Sequence, residues 1–227
     1  MSKQRESGLV VRIHHREHPS LATIWDEFNR LPLPRVEHLR DVYRQAPPEV
    51  WPEIERLGQT CTARPPIPFP FRRGLSFRVS DLWLVHLGRL SIDTSKVKRM
   101  PLYWKVKEVF GDDARMSGFF YYPPGGFKEW HTDFEDPQSD PEKHWRVYMV
   151  KAEDDRKSWF QYVDPDTGKI KKVFDRDAHL NLFSLKEEPP LWHAVWSDTQ
   201  RWCLGIKLGE QAIQSLLEIE GVERLAS

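Results

Sequence analysis

Between residues 20 and 59 the apolar positions recur at helical spacing. Leu21, Ile24, Trp25 and Phe28 form one stripe, Val36, Leu39, Val42 and Tyr43 a second, and Val50, Ile54 and Leu57 a third, with Pro34 and Pro47-Pro48 between them. Residues 63–73, ARPPIPFPFRR, hold too many prolines for helix or sheet and read as an extended surface segment. From about Val79 the period changes: short runs of Val, Ile, Leu and aromatic residues alternate with polar ones and are cut by Gly, Pro, Asp and Asn. The pattern predicts strands at Arg115–Tyr122, 130–134, 145–151, Ser158–Val163, 169–173, 180–185, 191–196 and Arg201–Leu208. Turns such as Pro123-Pro124-Gly125-Gly126 and Asp164-Pro165-Asp166-Thr167-Gly168 suit an antiparallel sandwich or barrel better than a parallel sheet with crossover helices. Helical spacing returns over 209–224 through Ile213, Leu216 and Leu217. The expectation is one mainly β domain, with residues 1–78 as an N-terminal helical annex and 79–227 as the β core.

Composition changes this picture in one respect. Only 39% of the 227 residues are hydrophobic, yet there are 10 Trp, 6 Tyr and 12 Phe, so much of the core must be built from rings. Charge is balanced at 34 basic against 34 acidic residues, which argues against a nucleic-acid partner, since such binders usually carry a basic excess. No run approaches the ~18 apolar residues of a membrane span, and the N-terminal MSKQRESG lacks the apolar centre of a signal peptide. Two distant cysteines, Cys61 and Cys203, make neither a disulfide framework nor a CxxC metal site. A soluble cytoplasmic protein in a reducing compartment is therefore expected.

The candidate chemistry begins at Glu129-Trp130-His131-Thr132-Asp133-Phe134. A strand places residues i and i+2 on one face, so His131 and Asp133 would point together. A further histidine, His193, lies downstream in Leu191-Trp192-His193-Ala194-Val195-Trp196. Two imidazoles and a carboxylate on one side of a metal leave positions open, which suits Fe(II) that must bind a cosubstrate and O2. An isolated H-x-D is also what a surface histidine beside a turn aspartate looks like. Arg201 follows His193 across Ser197-Asp198-Thr199-Gln200, and its guanidinium suits a bidentate hold on a carboxylate. With a three-residue hairpin loop Ser197 would oppose Arg201 and His193 would oppose Gly205, on one face; with a two-residue turn the faces would be opposite.

The order Tyr122-Pro123, Gly125-Gly126, His131-x-Asp133, His193 and Arg201, spread over predicted strands, resembles the Fe(II)/2-oxoglutarate-dependent dioxygenases, particularly their prolyl-hydroxylase-like branch. The resemblance covers about residues 115–208. It implies a double-stranded β-helix, a jelly-roll or cupin-like barrel, with His131, Asp133 and His193 as iron ligands and Arg201 on the C5 carboxylate of 2-oxoglutarate. Tyr122 falls where the family often has a tyrosine bonded to that carboxylate, and Tyr121 would face the other way. Cys203 stands where many members have serine, and a thiol is the weaker donor. The implied reaction consumes 2-oxoglutarate and O2, releases succinate and CO2, and hydroxylates an aliphatic C–H of a small molecule, amino acid or peptidyl residue. Trp130, Phe134, Trp192, Trp196 and Trp202 cluster in sequence around these positions, and strand alternation would turn about half of them inward as pocket walls.

Other motifs carry less. His14 and His18 lack the H-E-x-x-H order of a zinc helix. Asp164, Asp166 and Asp175 sit near calcium-loop spacing, but Gly168 is out of place and a hairpin turn explains the segment better. Arg146 either enters the barrel toward 2-oxoglutarate or substrate, or pairs at the surface. Lys96, Lys98, Arg99, Lys105 and Lys107, interleaved with Tyr103 and Trp104, look like a solvated face or, less readily, a nucleic-acid groove. Two rivals to the hydroxylase remain open: a nucleobase demethylase of the same superfamily, and a cupin-like metal- or sugar-binding barrel.

Overall fold

A computed structural model describes residues 10–14, 18–31, 52, 59, 98–122, 124–132, 145–165, 167–176, 179–184, 191–218 and 223–224. In chain order the elements are β1 (Val10–His14), α1 (Pro19–Asn29), α2 (Pro101–Phe110), β2 (Arg115–Tyr122), β3 (Gly126–His131), β4 (Trp145–Ala152), β5 (Ser158–Val163), β6 (Ile170–Phe174), β7 (His179–Ser184), β8 (His193–Ser197), β9 (Arg201–Leu208), α3 (Glu210–Leu217) and β10 (Glu223–Arg224). The helical stripes expected over 36–43 and 50–57, and the proline-rich 63–73, lie outside the described residues, apart from isolated positions.

Strands β2 to β9 pair from the outside inward: β2 with β9, β3 with β8, β4 with β7, and β5 with β6, all antiparallel. The chain is thus one long ribbon folded back on itself at the β5–β6 hairpin, and successive pairs fall in alternate sheets. One sheet runs β10-β1-β7-β4-β9-β2 and the other β3-β8-β5-β6. A two-stranded ribbon wound between two sheets is the double-stranded β-helix, or jelly roll. The molecule is mainly β, as its periodicity predicts.

The six-stranded sheet buries apolar side chains on both faces. Its outer face carries Tyr121, Val147, Met149, Leu180, Leu182, Trp202, Leu204 and Ile206, which pack with Leu21, Ile24 and Phe28 of α1, Leu102 and Val106 of α2, and Ile213 of α3. The α1 stripe is buried as its spacing predicts, and Pro19 opens the helix where a missing N–H costs nothing. Trp145 Nε1 donates to Glu210 Oε2 at 2.8 Å, tying α3 to β4. The inner face turns Tyr122, Val150, Phe183 and Cys203 toward Phe160, Tyr162, Val173 and Val195 of the four-stranded sheet. No helix among the described residues is long and apolar enough to cross a membrane.

Three elements were not expected: α2, β1 and β10, the last falling inside the 209–224 stretch read as helical, whose helix α3 ends at Leu217. Helix α2 replaces part of the presumed strand region; Leu102, Val106 and Phe110 form its buried stripe, while Lys105 pairs with Glu108 at 2.6 Å on its exposed side. Strand β1, too short to show a period, extends the larger sheet beyond β7.

Close packing of the inner face depends on Gly205. A Cβ there would meet Ser117 Oγ at 2.5 Å and the Tyr148 ring at 3.0 Å. Gly205→Ala is therefore expected to destabilise the fold by about 1–3 kcal/mol, read by urea unfolding. A variant within ~0.5 kcal/mol of the parent would contradict this packing.

Candidate functional site

His131 is the last residue of β3 and His193 the first of β8, and the two are direct cross-strand partners. Their ring centroids are 4.2 Å apart. His193 is buried, and its Nδ1 lies 2.9 Å from the Leu191 carbonyl oxygen. A carbonyl only accepts, so Nδ1–H donates and Nε2 of the neutral ring keeps its lone pair. The His193 ring lies 5.3 Å from Phe160 and 5.5 Å from Phe183. Phe183 belongs to the opposite sheet, so His193 points between the sheets. Strand β3 starts and stops earlier than its predicted 130–134, with a register shift between Lys128 and His131. Asp133 and Phe134 lie outside the described residues. Among the described residues no group of three or more His, Cys, Asp or Glu is placed to hold a metal.

Arg201 reaches the same interior by a route that hairpin geometry does not describe. Ser197 pairs with Gly126 and Ser158, whereas Arg201 pairs with Tyr122 and Ala152. Residues 198–200 thus carry the chain from one sheet to the other, and Gly205 faces Gly118 and Tyr148, not His193. The hairpin premise fails because consecutive strands of a wound ribbon enter different sheets.

The Arg201 guanidinium is buried. Its Nε donates to Asp175 Oδ2 at 2.8 Å, and its carbon stands 4.9 Å from the Tyr122 ring centroid. Asp175 also accepts from Ser158 Oγ at 2.8 Å and from Asn181 Nδ2 at 3.4 Å. Among the described residues Arg201 Nη1 is buried with no hydrogen-bond partner. Burial alone would depress the guanidinium; Asp175, with Cys203 and Tyr122, outweighs it and holds Arg201 above its ordinary range, a permanent cation.

Asp175 was missed as a site residue. At sequence level it looked like the end of a loop, and its partner comes from the other sheet, so no local spacing reveals it. The preceding segment is the hairpin turn that was expected: Gly168 takes φ 65°, its N–H donates to Asp164 O at 2.8 Å, and the Thr167 N–H donates to Asp164 Oδ1 at 3.0 Å.

Arg146 is buried at 5% exposure and faces inward, in register with Phe183 and Lys207. It stands at the opposite end of β4 from Ala152, the partner of Arg201. Cys203 packs in the interior beside Tyr122. His14 lies on β1 with its ring 4.8 Å from that of His179, and His18 precedes α1 in extended backbone, so the two do not share a helix.

The aromatic walls differ from expectation. Trp202 packs against Tyr121 beneath the helices, and Trp196 stacks between Phe127 and Trp159 on the outer face of the smaller sheet. Phenylalanine and tyrosine line the interior instead: Phe160, Phe183, Tyr162 and Tyr122, with Phe120 and Tyr148 against them. Tyr162, the cross-strand neighbour of His193, has its phenol pushed up to about 12, first by burial and then by Asp164. Its proton is held more tightly folded than unfolded, so the associated stability is intact below pH ~10 and lost as pH rises through about 12. Thermal unfolding against pH should show this alkaline decline, and Tyr162→Phe should flatten it; equal slopes would refute the assignment.

No family model and no curated protein matches the sequence. Among solved structures, a prolyl-4-hydroxylase of Pseudomonas putida is similar at 15% identity and TM-score 0.34, over 62% of this chain and 67% of that one. EvdMO1 is similar at 13% identity and TM-score 0.34, over 53% of this chain and 34% of its own length. The strand order, independently of these neighbours, makes the fold a jelly roll.

Proposed function

We propose that the chain is an Fe(II)- and 2-oxoglutarate-dependent oxygenase that hydroxylates an aliphatic C–H of a small molecule, amino acid or peptidyl residue. One observation carries this: two histidines side by side at one end of the jelly-roll interior, and in the same interior a buried arginine whose Nη1 has no partner among the described residues. A buried guanidinium N–H without an acceptor is costly, and a carboxylate supplies the acceptor it lacks. An imidazole whose Nδ1–H is already committed to a carbonyl offers Nε2 to a metal. The residues thus fit the groups.

In this reading His131, Asp133 and His193 hold the iron, and Arg201 with Tyr122 and Cys203 holds the C5 carboxylate of 2-oxoglutarate. When bound, iron and cosubstrate supply the oxidising chemistry, in which O2 is consumed, 2-oxoglutarate becomes succinate and CO2, and a C–H becomes C–OH. Asp175 fixes Nε and so presets where Nη1 points. Phe160 and Phe183, packed on His193, keep water from the reacting end. The nucleobase alternative draws no support from Lys105 and Lys107, which lie on α2 over the outer face of the larger sheet.

The test is 2-oxoglutarate binding by the Fe(II)-loaded chain, together with succinate release under air. Wild type should bind and release, His131→Ala should not release, and Arg201→Gln should not bind. Unchanged 2-oxoglutarate binding in Arg201→Gln would favour a cupin-like binding protein instead.

A further inference from the structure

The histidine pair continues into a third residue. On the smaller sheet His193 is the direct partner of His131 on one side and of Tyr162 on the other, so β3, β8 and β5 set the three side chains abreast. Direct partners share a face, and their Cβ atoms stand ~5 Å apart. That face is the inner one, because Tyr162 and Phe160, two positions before it, both belong to the interior cluster. The Phe160 ring lies 5.9 Å from that of Tyr162 and 5.3 Å from that of His193, and so joins the two. Phe183, from the larger sheet, stacks on Phe160 at 4.9 Å.

Phe160 and Phe183 make hydrocarbon walls beside the histidines, and Tyr162 sets a hydroxyl at their edge. Packing does not call for that hydroxyl. Tyr162 is 3% exposed, and its oxygen makes no hydrogen bond to any described residue. Phenylalanine would fill the same space without burying an unmatched O–H. Asp164, two positions further on, gives its carboxylate to the Thr167 N–H at 3.0 Å and to the Lys171 ammonium at 2.5 Å. Lys171 is itself the direct partner of Tyr162 on β6, so the two charges beside the phenol answer each other. A carboxylate brought to the Tyr162 hydroxyl would meet the Asp164 charge, whereas an uncharged oxygen would not.

Resting on the oxygenase reading, we propose that Tyr162 determines substrate specificity at the reacting end: its hydroxyl donates a hydrogen bond to an amide carbonyl oxygen of the primary substrate, as a peptidyl residue presents and a free amino acid does not. The hydroxyl fixes that oxygen, and Phe160 and Phe183 pack on the aliphatic part, which leaves the carbon to be hydroxylated beside His131 and His193.

The test uses the full chain with Fe(II) and saturating 2-oxoglutarate under air, and reads succinate release and product mass. The probes are the N-acetyl methylamides of alanine, valine, leucine, isoleucine, proline and lysine, each beside its free amino acid. At least one amide should raise succinate release and gain one oxygen atom, and its free amino acid should do neither. Tyr162→Phe should raise KM for that amide at least about tenfold, with 2-oxoglutarate affinity, Fe(II) affinity and neutral-pH Tm unchanged. The matching thioamide, whose sulfur is the weaker acceptor, should have the higher KM in wild type and lose that disadvantage in Tyr162→Phe. Turnover of the free amino acids in place of the amides, or no turnover of any probe, overturns the proposal. So does a wild-type KM in Tyr162→Phe. A variant that lowers Tm and leaves KM unchanged also overturns it, making Tyr162 a packing residue. Because 2-oxoglutarate binding is measured first on the same samples, its failure in wild type would identify the oxygenase reading as the part that is wrong.

Discussion

Asp175→Ala is expected to cost about 3–5 kcal/mol of folding stability, among the largest losses of any single substitution outside the helix–sheet core. Both partners of the ion pair are sequestered, with side chains 3% exposed for Arg201 and 0% for Asp175. Removing the carboxylate strands a guanidinium with no counter-charge, and it also leaves Ser158 Oγ and Asn181 Nδ2 without their acceptor. The penalty comes from the orphaned charge and not from the net worth of the pair. Replacing both residues, as in Asp175→Leu with Arg201→Met, should recover much of the loss. Urea unfolding measures both variants. A single-variant cost below ~1 kcal/mol would mean that Arg201 finds another anion or reaches water, and the preset guanidinium would have to be given up.

The second large effect concerns the metal. His193→Ala should lower Fe(II) affinity by ~100-fold or more and stop 2-oxoglutarate consumption, because loss of partners that merely orient a ligand already costs 10–100-fold. The Leu191 carbonyl commits Nδ1, so in the proposed set Nε2 would be the coordinating atom, with no tautomer change needed on binding. The truncated ring leaves a space beside Phe160 and Phe183, and free imidazole added to the variant should restore part of the metal affinity. Structural damage alone would not respond to imidazole. Metal affinity equal to wild type would remove His193 from the proposed set.

Much of the secondary structure is legible in the sequence. Strands β2, β5 and β9 coincide with the runs predicted by alternation, and the α1 stripe is the buried one. Boundaries failed where local signals compete. Strand β3 begins at Gly126, inside what looked like a turn, and α2 was hidden because its few apolar positions, Leu102, Val106 and Phe110, are interleaved with aromatics and lysines.

Alternation along each strand determined by itself which residues share a face, so Arg201 goes with Cys203 and Tyr121 goes against Tyr122. It could not say which face is inside, since the larger sheet buries apolar residues on both faces and is covered by helices on one. Trp196 and Trp202 therefore face outward, while Phe160 and Phe183 face inward. Only the tertiary structure decided that β8 and β9 enter different sheets, that Asp175 meets Arg201 across the interior, and that His131, His193 and Tyr162 stand abreast. Each depends on pairing between strands distant in the chain, and side-chain periodicity, being local, carries no information about partners.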